Sequence, residues 1–193
     1  DANGSNTTAA AAVIAAGRHL DFGGCSALIL GGTGPVGQRC ARLLAGEGAT
    51  VQLASRSKDK ADQVATQVNA STNGSAVSGV DCGSVDAISS AAADATLVIG
   101  AGAAGVELMP PEAWEAATQM KVAIDLNAVP PAGLAGIEVT DKAKDRSGVT
   151  CYGAIGVGGT KMKIHKAAIA SLFKSNDVLL DAEAIYELGK TIE

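Results

Sequence analysis

The chain has 193 residues and a formal net charge of −5, with 47% hydrophobic but only 3% aromatic residues. That length suits one α/β domain whose core is filled by small aliphatic side chains, and no basic block interleaved with aromatics points to nucleic acid. No apolar run approaches a membrane span and no signal peptide opens the sequence, so a soluble, cytoplasmic protein is expected.

In chain order, Asn6 is the expected N-cap of a helix through Ala9 to Ala16, since alanines are strong helix formers. The apolar strand Ala27 to Leu30 then runs into Gly31-Gly32-Thr33-Gly34-Pro35-Val36-Gly37 and a helix carrying Val36, Cys40, Leu43 and Leu44 on one stripe. Strand, G-x-G-x-x-G (Gly32, Gly34, Gly37) and helix in that order read as a dinucleotide-binding turn. Gly32 serves the tight turn, Gly34 leaves room for a pyrophosphate, and Gly37 lets the helix pack on the strand. Pro35 suits the first helical position, and the helix N-terminus faces the anion.

The second strand, Thr50 to Ala54, ends in Ser55-Arg56-Ser57-Lys58. An NAD-selective site places an acid here for the ribose 2′-hydroxyl, and this turn has none. Ser55, Ser57 and the guanidinium fork of Arg56, with Lys60 beyond them, fit a 2′-phosphate instead. NADP is therefore the expected cofactor, with NAD possible.

Helical spacing of Ala61, Val64, Ala65 and Val68 gives a second helix, broken at Ser71-Thr72-Asn73-Gly74. Further strands are expected at Ser75–Val80, Thr96–Ile99, Val122–Asp125 and Val149–Tyr152, with helices around Val85–Ala93 and from Pro111. The alternation predicts a Rossmann-type, doubly wound, mainly parallel sheet. A second G-x-G-x-x-G (Gly100, Gly102, Gly105) follows the fourth strand but leads into Val106 to Pro111 rather than a helix. It reads as a wall against adenosine or nicotinamide ribose (Gly100, Ala101, Gly102), or as a plain tight loop. Asn127 and Ala128, and Gly156 in the run Gly153 to Gly159, lie on the same sheet edge as candidates to line the nicotinamide.

Cys25, Cys40, Cys82 and Cys151 are widely spaced and read as free thiols, and no metal site is expected. His19 and His165 read as structural. Residues 21–160 make the nucleotide-binding domain. Residues 1–20 and 161–193 read as helices that belong with an absent N-terminal domain, Asp181 capping the last of them.

The segments Asp1 to Ala12, Gly31 to Arg39, Ala54 to Ser57, Asp125 to Pro131 and Gly156 to Lys163 together resemble the bacterial NAD(P)-dependent methylenetetrahydromethanopterin dehydrogenases, which are similar in fold to methylenetetrahydrofolate dehydrogenases. The resemblance spans the chain. It implies a further N-terminal domain, a homo-oligomer, and hydride transfer from a methylene-tetrahydropterin to NADP. Tetrahydromethanopterin and tetrahydrofolate both remain open as the carrier. Lys161, in the matching Gly-Gly-Thr-Lys segment, is the candidate catalytic residue, expected at a helix start where the dipole disfavours a cation; Lys163 or Lys166 can take that role, or Lys161 is simply exposed. Two alternatives stand beside this reading: another dehydrogenase of shikimate-, quinate- or short-chain type, and a nucleotide-binding module inactive alone. The short-chain signature Tyr-x-x-x-Lys occurs formally at Tyr186–Lys190, in the terminal helix.

Overall fold

The computed structural model describes residues 1, 3–72, 74, 76–175 and 177–192. Seven strands, β1 (Ser26–Leu30), β2 (Thr50–Ser55), β3 (Val77–Asp81), β4 (Leu97–Gly100), β5 (Val122–Asp125), β6 (Lys144–Arg146) and β7 (Val149–Tyr152), form one sheet. Their spatial order is β3-β2-β1-β4-β5-β7-β6, so β1 and β4 are neighbours at the centre. All pairs are parallel except β6 with β7. The expected doubly wound sheet is therefore present. The expected strand start at Ser75 falls outside the described residues, as does Asn73 in the break before it.

The strands are apolar on both sides because both sides are covered. Ile29, Val51, Leu53, Ile99 and Ile124 face one core, while Leu28, Leu30, Val98 and Ala123 face the other. Each such Leu or Ile contributes about 1.5–3 kcal/mol by burial. The first face carries α1 (Ser5–Gly17), α2 (Pro35–Gly46), α3 (Lys58–Thr72), α6 (Ala154–Leu172) and α7 (Ala182–Lys190). The second carries α4 (Val85–Ala92), α5 (Pro111–Ala116) and the loops before and after β5.

Strand β6 is a departure from expectation. It is entirely polar, Lys144-Asp145-Arg146, so no apolar alternation discloses it. Its cause is the turn that follows: Ser147 (φ 55°) and Gly148 (φ 85°) link Arg146 to its partner Val149. Two central residues with positive φ make the tight hairpin turn whose twist suits antiparallel strands. Asp141, buried and gripped by Arg146 at 2.6 and 2.8 Å, anchors the hairpin.

The start of α1 also differs. Gly4, with φ 70°, occupies the N-cap, and Asn6 lies inside the first turn. The Asp1 carboxylate reaches over to accept from the amides of Asn6 (3.0 Å) and Thr7 (2.9 Å), which frees the Asn6 side chain to accept from Arg39 on α2. Asp181 does cap α7, accepting from the Ala184 amide at 2.8 Å. Ala9 to Ala16 are buried around the whole circumference of α1, against α2, α6 and α7. Cys40 is fully buried on the stripe expected for it, and burial pushes its thiol up to about 12.

Candidate cofactor cleft

The cleft begins where β1 ends. Gly31 takes the positive φ of 70°, so the left-handed turn lies one residue before the Gly32 expected to make it. Gly32 is needed for clearance instead: a Cβ there would stand 2.5 Å from the Leu53 side chain and 2.8 Å from the Ile29 carbonyl. Gly37 packs α2 onto the turn, its own Cβ position being 2.7 Å from the Gly32 Cα. Gln38 pins the loop by donating to the Thr33 carbonyl at 2.8 Å.

Gly34 is the exception among the three. Its Cβ position meets only Gly31 O at 3.4 Å and Ala101 O at 3.8 Å, which is ordinary contact. Nothing inside the protein demands glycine there. Gly34 is also the N-cap of α2, with Pro35 at the first helical position. The first intrahelical donor is the Gln38 amide, so the amides of Val36 and Gly37 precede it at the helix's positive end. This cradle, which a side chain would fill, fits a pyrophosphate.

A cleft of about 640 Å³ opens beside that turn. On one side stand Ser55, Arg56, Ser57 and Lys60 from the end of β2 and the start of α3. Lys58 is held by Asp62 at 2.6 Å, whereas Arg56 and Lys60 are exposed and border the cleft. Opposite lie Gly102, Ala103, Val106, Glu107 and Leu108, with Cys82 and Ile88 at one end. Of these, only Gly102 was a candidate from sequence. The others come from the end of β3, the start of α4 and the segment after β4, which meet only through the order of the strands.

The second glycine run packs against the first. A Cβ on Gly31 would fall 2.5 Å from the Gly102 Cα, and one on Gly102 would strike the Leu108 side chain at 2.7 Å. Ala101 donates its amide to Leu30 at 2.8 Å, and Gly100 lies against Asp125. Asp125 is buried at the end of β5 and accepts from the amides of Asn127 (3.0 Å), Gly133 (2.7 Å) and Leu134 (3.2 Å). Burial raises its carboxyl above the ordinary range, against those three donors. Asn127 has both ends engaged: its Oδ1 accepts from Gly105 and Val129, and its Nδ2 donates to Pro131 at 2.9 Å. It therefore ties the two loops together at the sheet edge.

Ala128 borders a second opening, also about 640 Å³, with Leu126, Ile155, Gly158, Gly159, Met162 and Lys161. Lys161 is not at a helix start. Helix α6 begins at Ala154, with Gly153 as its N-cap, so Lys161 is two turns in and beyond the reach of the terminal dipole. Its ammonium approaches the turn before α1, 3.1 Å from where a Gly4 Cβ would be. Gly156 lies apart from both openings: it is buried inside α6, with its missing Cβ pressed on the Asp141 carbonyl. The structure thus gathers Gly31 and Thr33 of the first glycine run, the basic turn and Gly102 around one cleft, with Gly34, Val36 and Gly37 at the adjoining start of α2. Ala128 and Lys161 share another, and Gly156 joins neither.

His19 follows α1 and bonds the Tyr152 hydroxyl at 2.8 Å, a structural contact between helix end and sheet. Tyr186 and Lys190 lie on α7 against Glu47, at the far end of α2. That is the opposite edge of the sheet from the glycine turn, so the pair cannot act on a cofactor held there.

The short-chain dehydrogenase family matches residues 26–131. The chain is 46% identical, over 98% of its length, to the bifunctional protein MdtA of Methylorubrum extorquens. It is 33% identical, over its full length, to the NAD(P)-dependent methylenetetrahydromethanopterin dehydrogenase of the same organism. It spans 66% and 68% of the lengths of those two relatives. Among solved structures, a transhydrogenase from Sinorhizobium meliloti superposes with a TM-score of 0.65 at 19% identity, covering 97% of this chain and 53% of that one.

Proposed function

This chain belongs to the NAD(P)-dependent dehydrogenases of Rossmann fold, the short-chain dehydrogenase family matching its nucleotide-binding core, and on that premise we propose that it takes hydride from the methylene carbon of a methylene-tetrahydropterin. The observation that carries the cofactor half of this reading is the open cradle over Gly34, flanked by a helix N-terminus and a basic turn. The substrate half rests on the relative at 33% identity, whose name specifies that carrier.

The nicotinamide cofactor supplies the hydride acceptor. The chain's own residues supply binding and orientation. Val36 and Gly37 amides hold the pyrophosphate over Gly34, while Arg56, Ser55, Ser57 and Lys60 hold a 2′-phosphate, which makes NADP the preferred form. Ala101 and Gly102 wall the ribose. The loop organised by Asp125 and Asn127 leads from that wall to Ala128 and the second opening, which would hold the pterin. Lys161 donates a hydrogen bond to the pterin there. Holding donor carbon and acceptor ring together can remove about 7–11 kcal/mol of barrier. The outer side of α6, with Ile155 and Met162 exposed beside the second opening, forms the face on which a further domain closes it. The working enzyme is a cytoplasmic homo-oligomer. Among the described residues no helix is long and apolar enough to cross a membrane.

The test is calorimetry with NADPH, followed by hydride transfer from methylene-tetrahydromethanopterin and from methylene-tetrahydrofolate, read by nicotinamide absorbance. Turnover with either carrier supports the proposal and names the carrier. Binding without turnover on both would make the chain a nucleotide-binding module. In the active form, Lys161→Ala should lower kcat while leaving the Kd for NADP unchanged, because Lys161 lies across the sheet edge from the phosphate cradle.

A further inference from the structure

The cleft beside the basic turn holds a charge that the cofactor reading does not use. Among the residues lining it, Arg56 and Lys60 are cationic and Glu107 is the sole carboxylate. Glu107 is exposed, and among the described residues it forms no ion pair. Its place is nonetheless fixed on both sides. Upstream, Gly102 is pressed against Gly31. Downstream, the amides of Leu108 and Met109 both donate to the Gly133 carbonyl, at 2.7 and 3.0 Å, and the Met109 side chain is fully buried. The segment 102–109 is thus tethered at both ends where it lines the cleft, and Glu107 borders the same space as the basic turn. Arg56 is near enough to the Cys82 thiol, at the end of that space, to act on it electrostatically.

We infer that Glu107 sets the balance between NADP and NAD by opposing Arg56 and Lys60 across this cleft. The inference rests on the cofactor reading above. A 2′-phosphate brings roughly two negative charges and is repelled by a carboxylate in the same cleft. A ribose 2′-hydroxyl is a donor, which a carboxylate accepts strongly. Glu107 therefore disfavours NADP and favours NAD, while the basic turn does the reverse. With both present, the site discriminates less than its basic turn alone would.

The experiment titrates the full chain and its Glu107→Gln variant with NADP, NAD, adenosine 2′,5′-bisphosphate and 5′-AMP at low and high salt. The variant should shift the affinity ratio towards NADP by about 10-fold at low salt, and by less at high salt, because exposed charges are screened. The bisphosphate and the monophosphate should separate in the same direction, which confines the effect to the 2′ position. Glu112→Gln, on α5 and outside the cleft, controls for net charge and should leave the ratio unchanged. A ratio that stays put, or moves equally in Glu107→Gln and in the Glu112→Gln control, overturns the inference and leaves the cofactor reading intact. A wild-type chain that binds neither dinucleotide overturns both.

Discussion

Only four residues, 31–34, separate β1 from α2, whereas ten, 101–110, separate β4 from α5. Both strands are central, both run into G-x-G-x-x-G, and they are hydrogen-bonded neighbours. The short path spends only the Gly32 and Gly34 amides, on Ala54 and Gly31, and then delivers the helix N-terminus, with the amides of Val36 and Gly37, to the end of β1. The long path commits its amides elsewhere: Gly105 donates to Asn127, and Leu108 and Met109 to Gly133. Identical glycine spacing therefore has two meanings. The first run leaves one glycine, Gly34, open to a ligand, while in the second Gly100 and Gly102 are occupied by Asp125, Leu134 and Leu108. What separates them is the distance to the next helix.

Gly34→Val gives the largest break in that comparison. NADPH affinity should fall by more than about 100-fold with the melting temperature nearly unchanged, because the new side chain fills ligand space rather than protein space. Retained affinity by calorimetry would hand the pyrophosphate to the Gly100 run. Gly31→Ala should do the opposite, since it sets a Cβ at φ 70° against the Gly102 backbone. A stability loss of about 2–3 kcal/mol in denaturant is expected, larger than its effect on nucleotide affinity once folded. Arg56→Ala sharpens the first region further: loss of charged hydrogen bonds should weaken NADP by about 1.5–3 kcal/mol and NAD far less. Equal weakening of both would remove the 2′-phosphate from the basic turn.

The smallest effect belongs to the other half of the sheet, through Asp141 and Arg146. The Arg146 guanidinium holds the Asp141 carboxyl below the usual carboxylate range. A folded-state pKa below the unfolded one makes the pair stabilising at neutral pH. That stability is lost as pH falls from the unfolded value through the folded one. Asp141→Asn should therefore cost about 1–2 kcal/mol at pH 7 and much less in strong acid. Unfolding curves for both proteins that stay parallel across that range would contradict it.

Strands β1, β2, β4, β5 and β7 were legible because each is a short apolar run bounded by turn residues. The hairpin strand β6 was not, since its only signal is the dipeptide Ser147-Gly148. The start of α6 is hidden in the sequence for a related reason. Gly153 to Gly159 looks like loop, yet Gly156 is glycine because the Asp141 carbonyl leaves no room for a Cβ within a helix. In the cleft, the first glycine run and basic turn could be read because each is contiguous in sequence. Cys82, Ile88 and Val106 to Leu108 could not, because only the strand order brings them together.

Helix α1 carries a kinetic consequence. A helix apolar on every side has no face it can show to water, and beside α2 and β5 its partners include α6 and α7 from the far end of the sequence. Gly189 completes the fit, with its missing Cβ lying 2.6 Å from Ile14 and 3.0 Å from Ile164. Contacts so distant along the chain form late, after the entropy of closing a very large loop has been met. The alanine helix should thus gain full protection in a refolding hydrogen-exchange pulse only once α6 and α7 have docked on it.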